Sequence, residues 1–302
     1  GLGDVYKRQV IEHYGEYLKK YGRVGMPHQI IQAHTSIGRA FWNLNKKREA
    51  RPSFEAAVRV WRQGAPNKIS ALKTSKENKV QYMRQALDSA AESQFHLSEY
   101  AFADFQKVAF PQYKGGKSMA RIKKWSDSEF KKWVQRKQGV LRKAEADYAK
   151  VAKMTVNAGG VQMKSAPWQI AAASRTGEMY RSFVDEFRDA PIPREIERDP
   201  ELYDIYVGAL DDVSEPLQRQ AIDKFEFCLK TATQVRWFNK WSRACEEELN
   251  GLNPTEYPVA AELRSEPNYV KATLGDPGVV DLGAIQQQRL NTKDAVAKRE
   301  EP

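Results

Sequence analysis

A chain of 302 residues with 49 Lys and Arg against 39 Asp and Glu carries a formal charge of +10. That length can bury a sizeable core in two ordinary domains or one extended repeat array, and 13 Tyr, 12 Phe and 7 Trp supply apolar bodies that a disordered chain lacks. No run approaches the roughly 20 apolar residues of a membrane-spanning helix, and two cysteines, Cys228 and Cys245, are too few for a disulfide framework.

Gly1 to Gln9 reads GLGDVYKRQ, resembles translated sequencing-adapter read-through, and is set aside from the fold. The chain opens without Met and a helical pattern is already under way at Val10, so an upstream part, with any signal peptide, is expected. Val10, Tyr14, Tyr17 and Leu18 fall at helical spacing before Gly22, a helix stop, and read as the second helix of a pair. Ile37, Gly38 and Phe41 then precede a turn near Asn45, and Ala50, Phe54 and Ala57 follow it. Gly38 and Ala50 let two antiparallel backbones approach while Phe41 and Phe54 fill the space between them. Pro52 is expected in the first turn of the second helix, where its missing N–H costs nothing.

After a loop at Gly64 to Asn67, apolar residues from Val80 to Val108 predict one long helix over about 77–110. Trp125, Phe130, Trp133, Leu141, Ala144, Tyr148 and Val151 stripe a second, so 72–155 reads as an elongated, basic helical hairpin. A break at Asn157 to Gly160 leads to another helix with Ser165 as N-cap and Pro167 in its first turn. A short helix near 201–210, a longer one near 216–233 carrying Ala221, Phe225 and Cys228, and a last one near 237–249 complete the pattern. Residues 253–302 turn to Pro, Gly and Gln and predict an extended, then disordered tail. The fold class is therefore all-α: antiparallel helix pairs in an irregular α-solenoid, with helix pairs at 10–63 and 165–252 and the long hairpin between them. Cys228 and Cys245 read as small core residues, and whether they meet in space stays open.

The alternation of small residue, aromatic, turn, Ala, aromatic and Ala at 37–57 resembles the tetratricopeptide repeat family, with Asn45 departing from its glycine turn. Gly177 and Tyr180 repeat the Gly-x-x-aromatic step. From about Ser165 to Val270, stretches such as SAPWQIAAASRTGEMY and RWFNKWSRACEEELNGLNPTEYP resemble large envelope-associated tetratricopeptide proteins of gliding bacteria. The resemblance implies an interaction scaffold facing the periplasm or outer membrane and supplies no catalytic residue.

Chemistry-bearing constellations are wanting. Gly115-Gly116-Lys117-Ser118 ends like a phosphate-binding loop, but Pro111 stands where that loop needs its first Gly and no strand precedes it. His13, His28, His34 and His96 show no metal-ligand spacing, and no strained serine elbow or Cys/His pair occurs. Neither enzyme activity, cofactor nor metal is expected. Two binding modes remain. In the first, a peptide or helix from a protein partner enters a groove on the first helices of pairs, with Gln32, Thr35, Arg39 and Asn43 as candidate contacts because they flank the packing positions. In the second, a polyanion (nucleic acid, anionic lipid or acidic glycan) binds the segment from Lys114 to Lys143, which holds an excess of nine positive charges. Its candidate residues are Lys117, Arg121, Lys124, Lys131, Lys132, Arg136 and Lys143. The ordinary alternative for that segment is a solvated lysine face over a buried aromatic stripe.

Overall fold

Amphipathic periodicity interrupted by short turns gives eleven helices in the computed structural model, which describes residues 2–113, 119–190 and 192–258. They are α1 (Leu2–Tyr21), α2 (Pro27–Asn43), α3 (Lys47–Arg62), α4 (Ala65–Ser70), α5 (Lys76–Gln106), α6 (Met119–Trp125), α7 (Lys131–Ala152), α8 (Ala166–Arg188), α9 (Arg194–Glu197), α10 (Pro200–Val235) and α11 (Lys240–Leu252). A π-helical turn, Ser126–Phe130, joins α6 to α7. The predicted all-α character holds among the described residues, except for one β-hairpin. The expected tail lies outside them from residue 259 onward. No helix among the described residues is long and apolar enough to cross a membrane.

The α2/α3 pair forms for the reasons its sequence suggests. Asn45 adopts φ 58°, the left-handed conformation that a glycine would otherwise supply. Gly38 is indispensable to the close approach, because a Cβ built on it would stand 2.6 Å from the Phe54 ring. The α8/α10 pair repeats this contact, with the Phe225 ring 2.5 Å from a Cβ built on Gly177. In each second helix a small residue precedes the ring by one turn and another follows it: Ala50, Phe54 and Ala57 in α3, and Ala221, Phe225 and Cys228 in α10, all fully buried or nearly so.

The same spacing occurs in α7, where Ala144, Tyr148 and Val151 are equally buried. The hairpin is thus not set apart from the helices around it. α5 packs on α2 and α3 on one side and on α7 and α8 on the other. Contacts run α2 to α5, α5 to α8 and α8 to α11, a continuous row, while α3, α7 and α10 each bridge two successive members of it.

Several local expectations give way. Pro52 lies inside α3, not in its first turn, and α10 runs unbroken through Pro216 where the sequence suggested two helices. Each proline removes one backbone donor from its helix. In α10 the residues before Ser214 include none that is fully buried, although Leu210 and Val213 already pack against the core, so the proline falls within the packed part of the helix. Ser165 makes no capping bond; its hydroxyl lies 2.6 Å from the Asp88 carboxylate on α5 instead. The break at 157–160 is a two-stranded antiparallel hairpin, β1 (Thr155–Ala158) with β2 (Val161–Lys164), pairing Asn157 with Gln162 and Ala158 with Val161. Gly159 and Gly160, at φ 62° and 83°, supply the two positive angles its tight turn requires.

Cys228 and Cys245 do meet: they form a disulfide with their Cα atoms 6.5 Å apart, joining α10 to α11. At the turn between these helices Arg236 takes φ 52° to end α10, and the Trp237 N–H donates to the Ala232 carbonyl at 2.9 Å. Asn239 opens α11, its side chain accepting from the N–H groups of Trp241 and Ser242 while the Ser242 hydroxyl accepts from the Asn239 N–H.

Candidate functional site

The four proposed groove residues lie on α2, and the structure turns three of them toward α5. The Gln85 amide donates to Gln32 at 2.6 Å. Thr35 is buried, and its hydroxyl is bonded to the Ile31 carbonyl, the Ser89 carbonyl and the Ser93 hydroxyl. Arg39 forks onto both oxygens of Glu92 at 2.5 Å. Arg39 stays half exposed beside this pair, and Asn43 is exposed at the helix end, where its carbonyl accepts from Lys7. The expectation that these side chains line an open groove is corrected for Thr35. Flanking the packing positions of one pair is equivalent to facing the next helix of the row, and α5 occupies that place.

These contacts belong to a series of polar ties along the row. Glu99 on α5 receives both Nε and Nη2 of Arg175 on α8, at 2.9 and 3.0 Å, and the Tyr148 hydroxyl of α7 at 2.5 Å. The Arg175 guanidinium also lies 4.6 Å from the Phe102 ring and 5.0 Å from that of Trp241 on α11. Burial works against the Arg175 charge, but the carboxylates of Glu99 and Glu178 outweigh it and hold its pKa above the ordinary arginine value. Burial of Tyr148 together with the Glu99 charge raises its phenol strongly. One carboxylate therefore ties three helices.

The described candidate polyanion residues all face solvent: Lys131, Lys132, Arg136 and Lys143 on α7, and Arg121 and Lys124 on α6. Lys117 lies outside the described residues, as does the Gly115 to Ser118 loop. Among these lysines sits one that is not part of the solvated face. Lys137 is fully buried, and its Nζ donates to the Phe105 and Val108 carbonyls at 3.1 and 2.9 Å and to Glu186 of α8 at 2.5 Å. It caps the end of α5, where unpaired carbonyls concentrate partial negative charge. The sequence carried a signal for this, because Lys137 falls between Trp133 and Leu141 on the apolar stripe.

Two depressions flank α8. One, of about 400 Å³ between α7, α8 and α10, has Ala149, Ala152, Ala172 and Ala173 on its floor and Phe227 at its rim. Lys224 of α10 reaches across to Glu145 of α7 at 2.8 Å. The other, of about 540 Å³, lies where α8 meets α11 and presents Glu178, Asp185, Glu186, Asp189 and Glu248 around Arg181. Burial raises the Glu248 carboxyl above its usual range; Arg181 pulls it back, and Asp185 and Glu178 push it further. Arg181 Nη1 and Glu186 Oε2 each lack a hydrogen-bond partner among the described residues.

No family model, curated protein or solved structure matches this chain.

Two of the histidines, His28 and His96, pack among rings. His28 stacks on Tyr82 at 4.1 Å, and His96 stacks on Phe54 at 4.7 Å with Trp42 and Trp168 around it. Burial, with Arg39 and Lys240 nearby, pushes His96 down to about 4. No group of His, Cys, Asp or Glu able to hold a metal ion occurs among the described residues.

Proposed function

We propose that this chain is a non-enzymatic protein-interaction scaffold of tetratricopeptide type, working in a bacterial cell-envelope assembly. The observation that carries the reading is the glycine-on-ring contact, made by Gly38 with Phe54 and again by Gly177 with Phe225, in helix pairs whose first helices stand in one row. Repetition of a packing unit along a row produces long surfaces of the kind that receive partner helices or peptides. The depression between α7, α8 and α10 suits such a partner: its floor is small and apolar, and Phe227 and the Lys224–Glu145 pair stand at its edge. The envelope setting draws on the resemblance to proteins of gliding bacteria and on the Cys228–Cys245 bridge, since structural disulfides persist in oxidising compartments.

The test is cross-linking of the full chain in an envelope extract, followed by affinity measurement with the partner recovered. Phe227→Ala should weaken that affinity at least about tenfold. An affinity unchanged by Phe227→Ala, and by alanine at Gln32 and Asn43 as well, would sink the reading.

A second reading is favoured by the exposure of Lys131, Lys132, Arg136 and Lys143 on one helix. Such a ridge can hold the phosphates of nucleic acid, anionic lipid or acidic glycan. Binding that collapses as salt rises from low to physiological concentration supports the ridge, and salt-tolerant binding supports the apolar depression.

A further inference from the structure

The turn between α10 and α11 combines features that the scaffold reading leaves unused. Trp237 is 49% and Phe238 69% exposed, with Val235 beside them at 47%. Large aromatics are ordinarily buried, and contiguous exposed ones mark contact surfaces. The turn is also held from both ends: by the left-handed Arg236 and the Trp237 to Ala232 bond on one side, by the Asn239 capping box on the other, and by the Cys228–Cys245 bridge behind it. A turn whose backbone is already fixed loses little further backbone entropy when its aromatics are covered.

Charge identifies what covers them. Between Glu226 and Glu246 the chain has Lys230, Arg236, Lys240 and Arg243 and no acidic residue. Arg243 is engaged by Glu247 at 2.9 Å, whereas Arg236, next to Trp237 in the chain, and Lys230, further back on α10, are exposed. The shape is a protruding turn and not a pocket, so it needs a surface that yields to a wedge. An aromatic pair with cations at its base matches the interface of an anionic bilayer, where the rings enter the headgroup boundary and the cations meet lipid phosphates.

We infer that the Val235–Trp237–Phe238 turn is a peripheral membrane-docking tip that inserts into the interface of anionic lipid bilayers. Association is shallow and reversible, as one apolar wedge with a few cations provides. The tip is separate from the basic ridge of α7 and from the depression proposed for a protein partner.

Sedimentation of the full, disulfide-bonded chain with vesicles of equal parts phosphatidylglycerol and phosphatidylcholine tests this. The wild type should partition onto these vesicles and several-fold less onto phosphatidylcholine alone. Trp237→Ala/Phe238→Ala should lower partition at least about tenfold, and Lys230→Gln/Arg236→Gln should lower it several-fold. Both pairs are exposed, and unchanged far-ultraviolet circular dichroism confirms that the fold is kept. Lys131→Gln/Lys132→Gln should leave the loss caused by the aromatic pair intact. Acyl-chain-brominated lipid supplies an independent readout: it should quench part of the tryptophan emission in the wild type, and that part should be missing in Trp237→Phe. Wild-type protein that stays in the supernatant, a double aromatic variant that partitions like the wild type, or quenching unaffected by Trp237→Phe each overturns the inference.

Discussion

Gly38 stands so close to Phe54 that a Cβ on it would lie 2.6 Å from the ring edge, well inside contact distance. Replacement by alanine must therefore push the ring or the two helices apart. Gly38→Ala should destabilise the protein by about 1–3 kcal/mol, and Gly177→Ala should act alike through Phe225. Gly139, inside α7, is the matched control: a Cβ there meets nothing within 4 Å. Gly139→Ala should be neutral or stabilising by up to about 1 kcal/mol. Urea denaturation of the three variants measures this, and equal effects at Gly38 and Gly139 would contradict the packing described.

His96 should make stability depend on pH. Its pKa is pushed down to about 4 from an ordinary 6.5. Between those values the unfolded chain takes up a proton that the folded chain refuses, so this contribution is intact above pH 6.5 and is lost as pH falls toward 4. The loss amounts to at most about 3 kcal/mol. His28 and His34, also lowered by burial, act in the same direction, while the burial-raised carboxyls of Asp88 and Glu92 oppose them at the acid end. Urea midpoints across this range should fall less steeply in His96→Leu than in the wild type; parallel curves would refute the assignment.

Lys137 should behave unlike its neighbours. Removing its ammonium leaves two carbonyls and the Glu186 carboxylate without their donor, so Lys137→Ala should cost about 3–5 kcal/mol, whereas Lys131→Gln and Lys132→Gln should change stability by less than about 0.5 kcal/mol. Acetylation with a water-soluble reagent followed by peptide mass spectrometry gives a second check. Lys131 and Lys132 should be modified in the native protein, and Lys137 only after unfolding.

The bridge between Cys228 and Cys245 predicts a chain with no titratable thiol in denaturant until reductant is added. Cys228→Ala/Cys245→Ala should lower stability by about 2–4 kcal/mol, since the closed loop is short. Free thiol in protein purified without reductant from an oxidising compartment would count against the pairing.

Much of the helical pattern was legible because periodicity and punctuation carry it. Asn45 and the Gly38, Phe54 and Ala57 frame could be read directly, since one residue type at each position has a steric reason to be there. Prolines mislead in one direction: Pro52 and Pro216 each suggest a helix boundary, yet flanking packing outweighs one missing hydrogen bond. Gly159-Gly160 was readable as a break but not as a hairpin, because four-residue strands offer too little alternation to register. The candidate site was less legible. Gln32, Thr35 and Arg39 were chosen as polar positions beside a packing stripe, and such positions serve an internal neighbour as readily as a partner. Lys137 was counted with the solvated lysines by composition, although its place on the Trp133–Leu141 stripe distinguished it. The Glu99–Arg175 tie spans 76 residues of chain, a separation that no local pattern encodes.

That tie also limits how the array could have changed over time. Uniform solenoids gain and lose whole units freely, because each junction resembles the next. Here Arg39 meets Glu92, Glu99 meets Arg175 and Tyr148, and Lys137 meets Glu186, so the junctions of α5 and α7 with their neighbours hold charges matched to particular partners. Excising α5 and α7 as a unit would bring α2 against α8 with Glu92 and Glu99 gone, leaving Arg175 only the Glu178 carboxylate of its own helix and Arg39 none of its present partners. Such an arrangement accommodates single substitutions more readily than duplication or deletion of α5 and α7, which ties this part of the array to its particular sequence.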